Sequence, residues 1–298
     1  MTTRRSDIPD FKTRTLQEHA RLGTEGAAKF LEAGRQWNLA PTLRERGAII
    51  FPHISLEKCG HHIAAAVHAC LDSGADRVLA IGVLHALTQD LQDARVRVAQ
   101  GADVTKEESW GIQGEDLKGR SDWQNEFSML NFIFLWQEEI KRRGVKPPQL
   151  FVRYPYLAGG RPHLLPGIEE LKAIARDAVV VGTADPFHHG IAYNDPPEKS
   201  FMPNEGGLDL ARKRINEGLT LLKLGDYWGY NQHCVDAKSD ARDMGQTMRY
   251  LYGAMDGAIL DLQWQDMTVE YNKPAPSWVT GALIELKKVK GSVEGALH

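Results

Sequence analysis

Short apolar runs alternate with longer amphipathic stretches along most of this chain. In residues 11–34, Leu16, Ala20, Ala27, Phe30 and Leu31 recur on one face, which predicts a helix weakened in its middle by Gly23 and Gly26. Ala48-Ile49-Ile50-Phe51, closed by Pro52, reads as a strand. The helix expected after Gly60 carries Ile63, Val67, Cys70 and Leu71 at helical spacing and ends at Gly74. Cys70 falls on its apolar face, whereas His61 and His62 are expected at the rim and His68 in solvent. Residues 78–83 form a second strand. The polar, glycine-bearing stretch 101–120 reads as a loop or lid. Residues 124–143 predict a helix whose centre, 127–136, is apolar on nearly every face and so deeply packed.

Further along, the pattern gives a strand at 149–154, a short helix from about residue 167, a strand at 178–182 and a loop over 191–206. Two more helices follow, one with Leu208, Ala211, Ile215, Leu219 and Leu222 on a face, the other with Met244, Met248, Leu251 and Met255. The last strands are expected at 258–262 and 278–286, paired antiparallel because no helix intervenes. Strand–helix alternation without internal repeats predicts one three-layer α/β/α domain over residues 1–298, with a mostly parallel central sheet and right-handed crossovers. Residues 1–45 are expected to pack on it as an N-terminal helical segment.

Composition narrows the classes. The 298 residues carry 36 Lys+Arg against 39 Asp+Glu, a formal net charge of −3, which gives no electrostatic case for nucleic acid. At 42 % hydrophobic and 25 % charged, the chain reads as an ordinary globular protein. Three cysteines are too few for a disulfide framework and point to a reducing, cytoplasmic setting. The start of the sequence lacks the apolar stretch of a secretory signal, and no run is long enough to span a membrane. Homo-oligomerisation is left open.

Parallel sheets bind ligands beyond the carboxyl ends of their strands. Three predicted strands end there in chemistry-bearing residues: Phe51-Pro52-His53, Gly82-Val83-Leu84-His85, and Thr183-Ala184-Asp185-Pro186-Phe187-His188-His189-Gly190. Two imidazoles and one anionic ligand with open positions form a recurrent mononuclear metal arrangement. With a carboxylate it suits Fe(II) and oxygen activation; with a thiolate, Cu, Fe and Zn all fit. No GxGxxG, P-loop or HExxH motif is present, which argues against nucleotide binding and the zincin class.

The segments around these residues resemble a family. Ala48-Ile49-Ile50-Phe51-Pro52-His53 with Cys59-Gly60, Ile81-Gly82-Val83-Leu84-His85, Asp185-Pro186-Phe187-His188-His189-Gly190 and Trp278-Val279-Thr280-Gly281-Ala282-Leu283 are similar, in that order, to motifs of the Memo-like proteins. These belong with the class III extradiol ring-cleavage dioxygenases, the LigB-like superfamily. The family's Glu-His-Ser segment stands here as Glu126-Phe127-Ser128, and Ala86 and Leu130 replace residues the family often carries. The resemblance implies a LigB/Memo-like fold with His53 and His85 as metal ligands. It also implies a third ligand shortly before a helix, a Cys in Memo-like proteins and a Glu in the ring-cleaving enzymes. Cys234, in Gln232-His233-Cys234-Val235-Asp236, is the first choice; His233, Asp236, Asp240 and Asp243 compete with it.

With Fe(II) the first choice of metal and Cu or Zn the alternatives, such a site would take a small, catecholic substrate together with O2. His188 is the expected acid/base, since an imidazole titrates near pH ~6.5. Asp185 would orient it, Glu126 would complete the set, and Trp110, Phe127 and Phe187 are candidates for walls. The competing readings are a non-catalytic metal-binding, redox or interaction protein, and a metal-dependent hydrolase.

Overall fold

The computed structural model describes residues 4–289, so both ends of the expected 1–298 domain, residues 1–3 and 290–298, lie outside the described residues. In chain order the first elements are α1 (Phe11–Gly34), α2 (Ala40–Arg44), β1 (Ala48–Phe51), α3 (Leu56–Asp72), β2 (Arg77–Ile81) and α4 (Gln89–Ala99). Then come β3 (Gly111–Gly114), α5 (Leu130–Arg143), β4 (Gln149–Tyr156), α6 (Ile168–Asp177), β5 (Val179–Thr183) and β6 (Phe187–Gly190). The chain closes with α7 (Gly207–Leu224), α8 (Tyr227–Asp236), α9 (Arg242–Tyr252), β7 (Met255–Asp266), α10 (Thr268–Tyr271) and β8 (Ser277–Lys288). Among the described residues, no helix is long and apolar enough to cross a membrane.

One mixed sheet organises these elements. Its centre, β4-β2-β5-β1, is parallel. Antiparallel strands flank it: β3 on β4 at one side, β8 on β1 at the other. Strand β8 is long enough to serve three neighbours. One of its edges pairs first with β6 and then with β1, and the other carries β7 along its whole length.

Period-two alternation in the central strands feeds two cores. Ile49, Phe51, Val78, Ala80, Val179 and Val181 face the layer built by α1, α3, α4 and α5. Ala48, Ile50, Leu79, Ile81 and Val180 face α6, α7 and α9, where Met244 and Met248 fill the space over the sheet. This is the expected α/β/α layering, and the N-terminal helix does pack on α3 and α5.

Several local expectations are corrected. The 101–120 stretch is no free lid: residues 111–114 form β3, with Ile112 buried. The helix expected from residue 124 begins only at Leu130, after a single 3-10 turn, so Glu126 and Phe127 lie in the connection ahead of it. Helix α3 starts at Leu56, not after Gly60; His61 is half-buried as a rim residue is, whereas His62 and His68 are buried. His68 Nε2 donates to Leu31 O, 2.7 Å away. Strand β6 and helix α8 went unanticipated. The first is four residues long; the second is barely amphipathic, with Trp228 and Val235 exposed.

His68 belongs to a charged cluster joining α1, α3 and α5. Buried Glu139 accepts from Arg142, Arg143 and Arg35 at 2.6–3.1 Å, and His68 Nδ1 lies 3.3 Å from it. Burial opposes the charge, but the Arg142 and Arg143 guanidiniums outweigh it and hold the carboxyl at about 2. A folded-state pKa below the ordinary 4.5 stabilises the fold above pH 4.5 and loses that contribution as pH falls towards 2. Glu139→Gln is therefore expected to cost roughly 2 kcal/mol at pH 7, because the neutral amide gives up charge-assisted hydrogen bonds from three partly exposed guanidiniums. Urea unfolding should show this, and the variant's stability should also depend less on pH below 4.5 than the parent's.

Candidate metal centre

The carboxyl ends of β1, β2 and β5 open together at one end of the sheet, where His53, His85 and Asp185 leave the strands. Backbone contacts fix each departure. The His53 N–H donates to Asp185 Oδ1 at 3.1 Å, and the His85 N–H donates to Glu126 Oε2 at 2.6 Å. Gly82 lets β2 run under the Tyr154 ring; a Cβ there would sit 2.3 Å from the ring carbon Cε1. Asp240 arrives from the opposite direction, in the tight connection between α8 and α9. Its Oδ1 accepts the Asp185 N–H at 2.7 Å, while the His188 N–H donates to Ala237 O at 3.2 Å.

Hydrogen bonding orients both rings. Thr183 Oγ1 gives its one hydrogen to Phe51 O, so at 3.1 Å from His53 Nδ1 it acts as acceptor from an Nδ1–H. Glu126, which also accepts from the Phe127 and Ser128 N–H groups, takes the His85 Nδ1–H at 2.9 Å. Each imidazole is thus tied back through Nδ1 and presents Nε2 forward, as outer-shell partners do for metal-ligating histidines. The two Nε2 atoms and an Asp240 carboxylate oxygen all lie within 4.8 Å of one another. Asp240 Oδ2 is 3.1 Å from His53 Nε2 and 3.6 Å from His85 Nε2. Neighbouring donors on an octahedral ion with bonds of ~2.1 Å stand ~3 Å apart, so the set is close to chelating size. Buried Asp240 Oδ2 has no well-aligned hydrogen bond among the described residues, although both imidazoles stand within ion-pair distance of it.

The electrostatics favour a cation at that point. Burial works against a charged His85, yet Glu126 and Asp240 raise it to about 10. His53 is also raised, Asp185 and Asp240 overcoming its burial. Asp240 is held well below the usual carboxylate range by His53 and His85 despite complete burial. Protons supply the positive charge when nothing else does, and a divalent ion would displace them.

Asp185 and His188 stand beside this set, their ligand atoms grouped with Asp240 within 4.8 Å. Burial, reinforced by the Asp240 charge, raises the Asp185 carboxyl. His188 opens partly to a cavity of about 760 Å³, yet it sits deep enough that burial pushes it down to about 4, and its Nδ1 has no partner among the described residues. The cavity reaches from His53, His85 and His188 to Tyr193, Tyr271 and the start of α1. Phe127 walls it, its ring 4.5 Å from that of His85 and nearly parallel. The other two suggested walls do not line it: Trp110 packs in the core beside β3, and Phe187 packs against Trp278.

Cys234, the expected third ligand, lines the same cavity but is not in the group that His53, His85 and Asp240 form. It lies on α8 in a small apolar cluster with Leu222 and Tyr230, and burial pushes its thiol up to about 12. Its neighbours are placed as firmly. His233 Nε2 bonds Arg214 O at 2.8 Å, Asp236 is exposed, and Asp243 Oδ1 accepts the Ala158 N–H at 2.8 Å. Of the competing third ligands, Asp240 is the one brought to the histidines. The supporting Thr183 went unnoticed in the sequence, although a hydroxyl at the end of a strand beside a ligand-bearing strand is a readable signal. A second group, His61, His62 and Asp261, sits between α3 and a bulge in β7. There Asp261 Oδ2 is already engaged by His62 Nε2 at 2.8 Å and by Gln263 at 3.0 Å. Compared with known protein families and with curated proteins, the chain matches none.

Proposed function

We propose that this protein is a metal-dependent, non-heme oxidoreductase that uses O2 on a small organic substrate, with Fe(II) the ion its ligands suit best. The observation that carries this reading is the convergence of His53 Nε2, His85 Nε2 and the Asp240 carboxylate on one point at the mouth of the parallel strands. Membership of the LigB/Memo-like superfamily is part of the proposal; the ordered motifs support it. A carboxylate rather than a thiolate among the donors favours its oxygen-using, ring-cleaving side. Fe(II) held there would acidify a chelating phenolic hydroxyl and bring it together with dioxygen.

The chain's own residues do the rest. His188 is neutral at pH 7 and its partly open ring lines the cavity, so it is placed to take a proton from a substrate hydroxyl. Asp185, fixed by the His53 N–H, positions charge between His188 and the ligand set. Phe127 offers a flat apolar wall for a planar ring.

The test is oxygen uptake by iron-loaded protein across a panel of catechols. Turnover is expected with at least one, and His188→Gln should keep stoichiometric iron while losing about 100-fold or more in kcat. Tight metal binding with no uptake on the whole panel would leave a metal-binding protein without this activity.

A further inference from the structure

An unbroken arc of aromatic rings lines the cavity from a metal ligand round to the acid/base. It starts where Phe127 lies against His85 and continues to Phe11, 5.2 Å between ring centroids. Tyr271 stands 5.7 Å from Phe11 and Tyr193 5.4 Å from Tyr271, both edge-on, and Tyr193 ends the arc 4.8 Å from the His188 ring. Phe127 already walls the metal centre. The other three come from separate parts of the chain: Phe11 opens α1, Tyr193 closes the 3-10 turn after β6, and Tyr271 ends α10. Phe11 is steadied by the segment ahead of it. There the Arg5 N–H donates to Leu87 O at 3.0 Å and its guanidinium to Gln92 Oε1 at 2.8 Å, which ties that segment to the chain just past His85.

Phe11, Tyr193 and Tyr271 pack on the buried cluster of Ile54, Cys59, Met267 and Val279, yet all three remain only half-buried, and all three line the cavity. The two tyrosine hydroxyls meet each other, so neither depends on a ligand for a partner. What this wall offers is therefore apolar ring surface, which gains from a guest that covers it. Another aromatic ring, offset or edge-on, is the matching contact. A cation over the same rings is disfavoured, because Arg14, Arg95 and Lys273 also line the cavity. Size points the same way. About 760 Å³ is more than a single-ring diol fills, and it falls in the range of ~300–1,000 Å³ that holds drug-sized ligands.

We propose that Phe11, Tyr193 and Tyr271 form an aryl subsite that sets specificity, and that the substrate carries a second aromatic ring, which docks there while the first meets the His53–His85–Asp240 site. Only the fate of the first ring rests on the metal-site reading; the subsite rests on the three rings and the space they face.

The subsite is read on metal-free protein, by calorimetric titration with 2-phenylphenol, phenol and 2-cyclohexylphenol. 2-Phenylphenol is expected to bind saturably, about tenfold or more tighter than phenol and about threefold or more tighter than the cyclohexyl analogue. Phe11→Leu keeps apolar bulk but removes the ring, so it should close most of the gap between 2-phenylphenol and phenol. Tyr271→Leu, on a separate element, should do the same and decides the matter if the first variant does not fold. With iron-loaded protein, kcat/KM should favour 3-phenylcatechol over catechol about tenfold or more, and Phe11→Leu should erode that preference through KM rather than kcat. Equal binding of 2-phenylphenol and phenol, a cyclohexyl analogue that binds as well as the phenyl one, or a gap that neither variant narrows overturns the subsite. Turnover that prefers catechol overturns the two-ring substrate. Selective binding that both variants abolish, on a protein that turns over no catechol, upholds the subsite and overturns the metal reading alone.

Discussion

His85→Ala is expected to lose its metal: affinity for a divalent ion should fall at least about 100-fold, or about 2.8 kcal/mol, and elemental analysis after dialysis should find a small fraction of one equivalent. His53→Ala should behave alike. The physical reason is that neither ring is a replaceable donor. His85 Nδ1 is pinned on Glu126 at 2.9 Å and His53 Nδ1 on Thr183 at 3.1 Å, so each Nε2 is preorganised. Alanine at 85 also leaves buried Glu126 with its backbone N–H partners but without the imidazole that helps to hold its carboxyl low. Folding should survive, since three backbone donors remain on that carboxylate. Stoichiometric metal in both variants would move the ion elsewhere, with His61, His62 and Asp261 the next set to examine.

What the sequence made legible, and what it hid, follows from the range of the interactions. Strands β1, β2 and β5 are short apolar runs buried almost throughout, and their ends can be read directly, which is why the pattern places His53, His85 and Asp185 at one edge of the sheet. Of the three candidate walls only Phe127 lines the cavity, and the apolar pattern alone does not separate it from Trp110 and Phe187, which pack in the core. Strand β6 was not readable, since His188 and His189 sit in it only because Ser277–Thr280 of β8 offers a ladder about ninety residues away. Helix α8 was hidden by its weak apolar face, although Gly225 in a left-handed turn and Asp226 capping Gly229 N–H mark its start. Missing α8 mattered most. Without it, Cys234 looked like a loop residue free to turn inward, whereas the helix fixes it against Tyr230 and delivers the next connection, with Asp240, to the histidines. The buried cluster around His68 and Glu139 was invisible for a similar reason: its arginines come from α1 and α5, and only tertiary packing joins them.

The same geometry sets the sharpest test of the third ligand. Asp240→Ala is expected to weaken metal binding as severely as loss of a histidine, about 100-fold or more, and to abolish any oxygen chemistry the ion supports. Cys234→Ser should leave affinity within about twofold, because Cys234, on α8, packs against Leu222 and Tyr230 and is not in the group that His53, His85 and Asp240 form. Spectroscopy separates the two without relying on affinity: the Cu(II)-loaded protein should lack an intense thiolate charge-transfer band, and its spectrum should be the same in Cys234→Ser. Asp240→Asn keeps an oxygen for the Asp185 N–H but loses the charge, so it should fold normally and still bind metal poorly. If the asparagine variant bound metal as the parent does while the serine variant lost it, α8 would have to turn and Cys234 would be the donor. The packing of Cys234 against Tyr230 and the Asp240 oxygen 3.1 Å and 3.6 Å from the two imidazoles argue against that outcome.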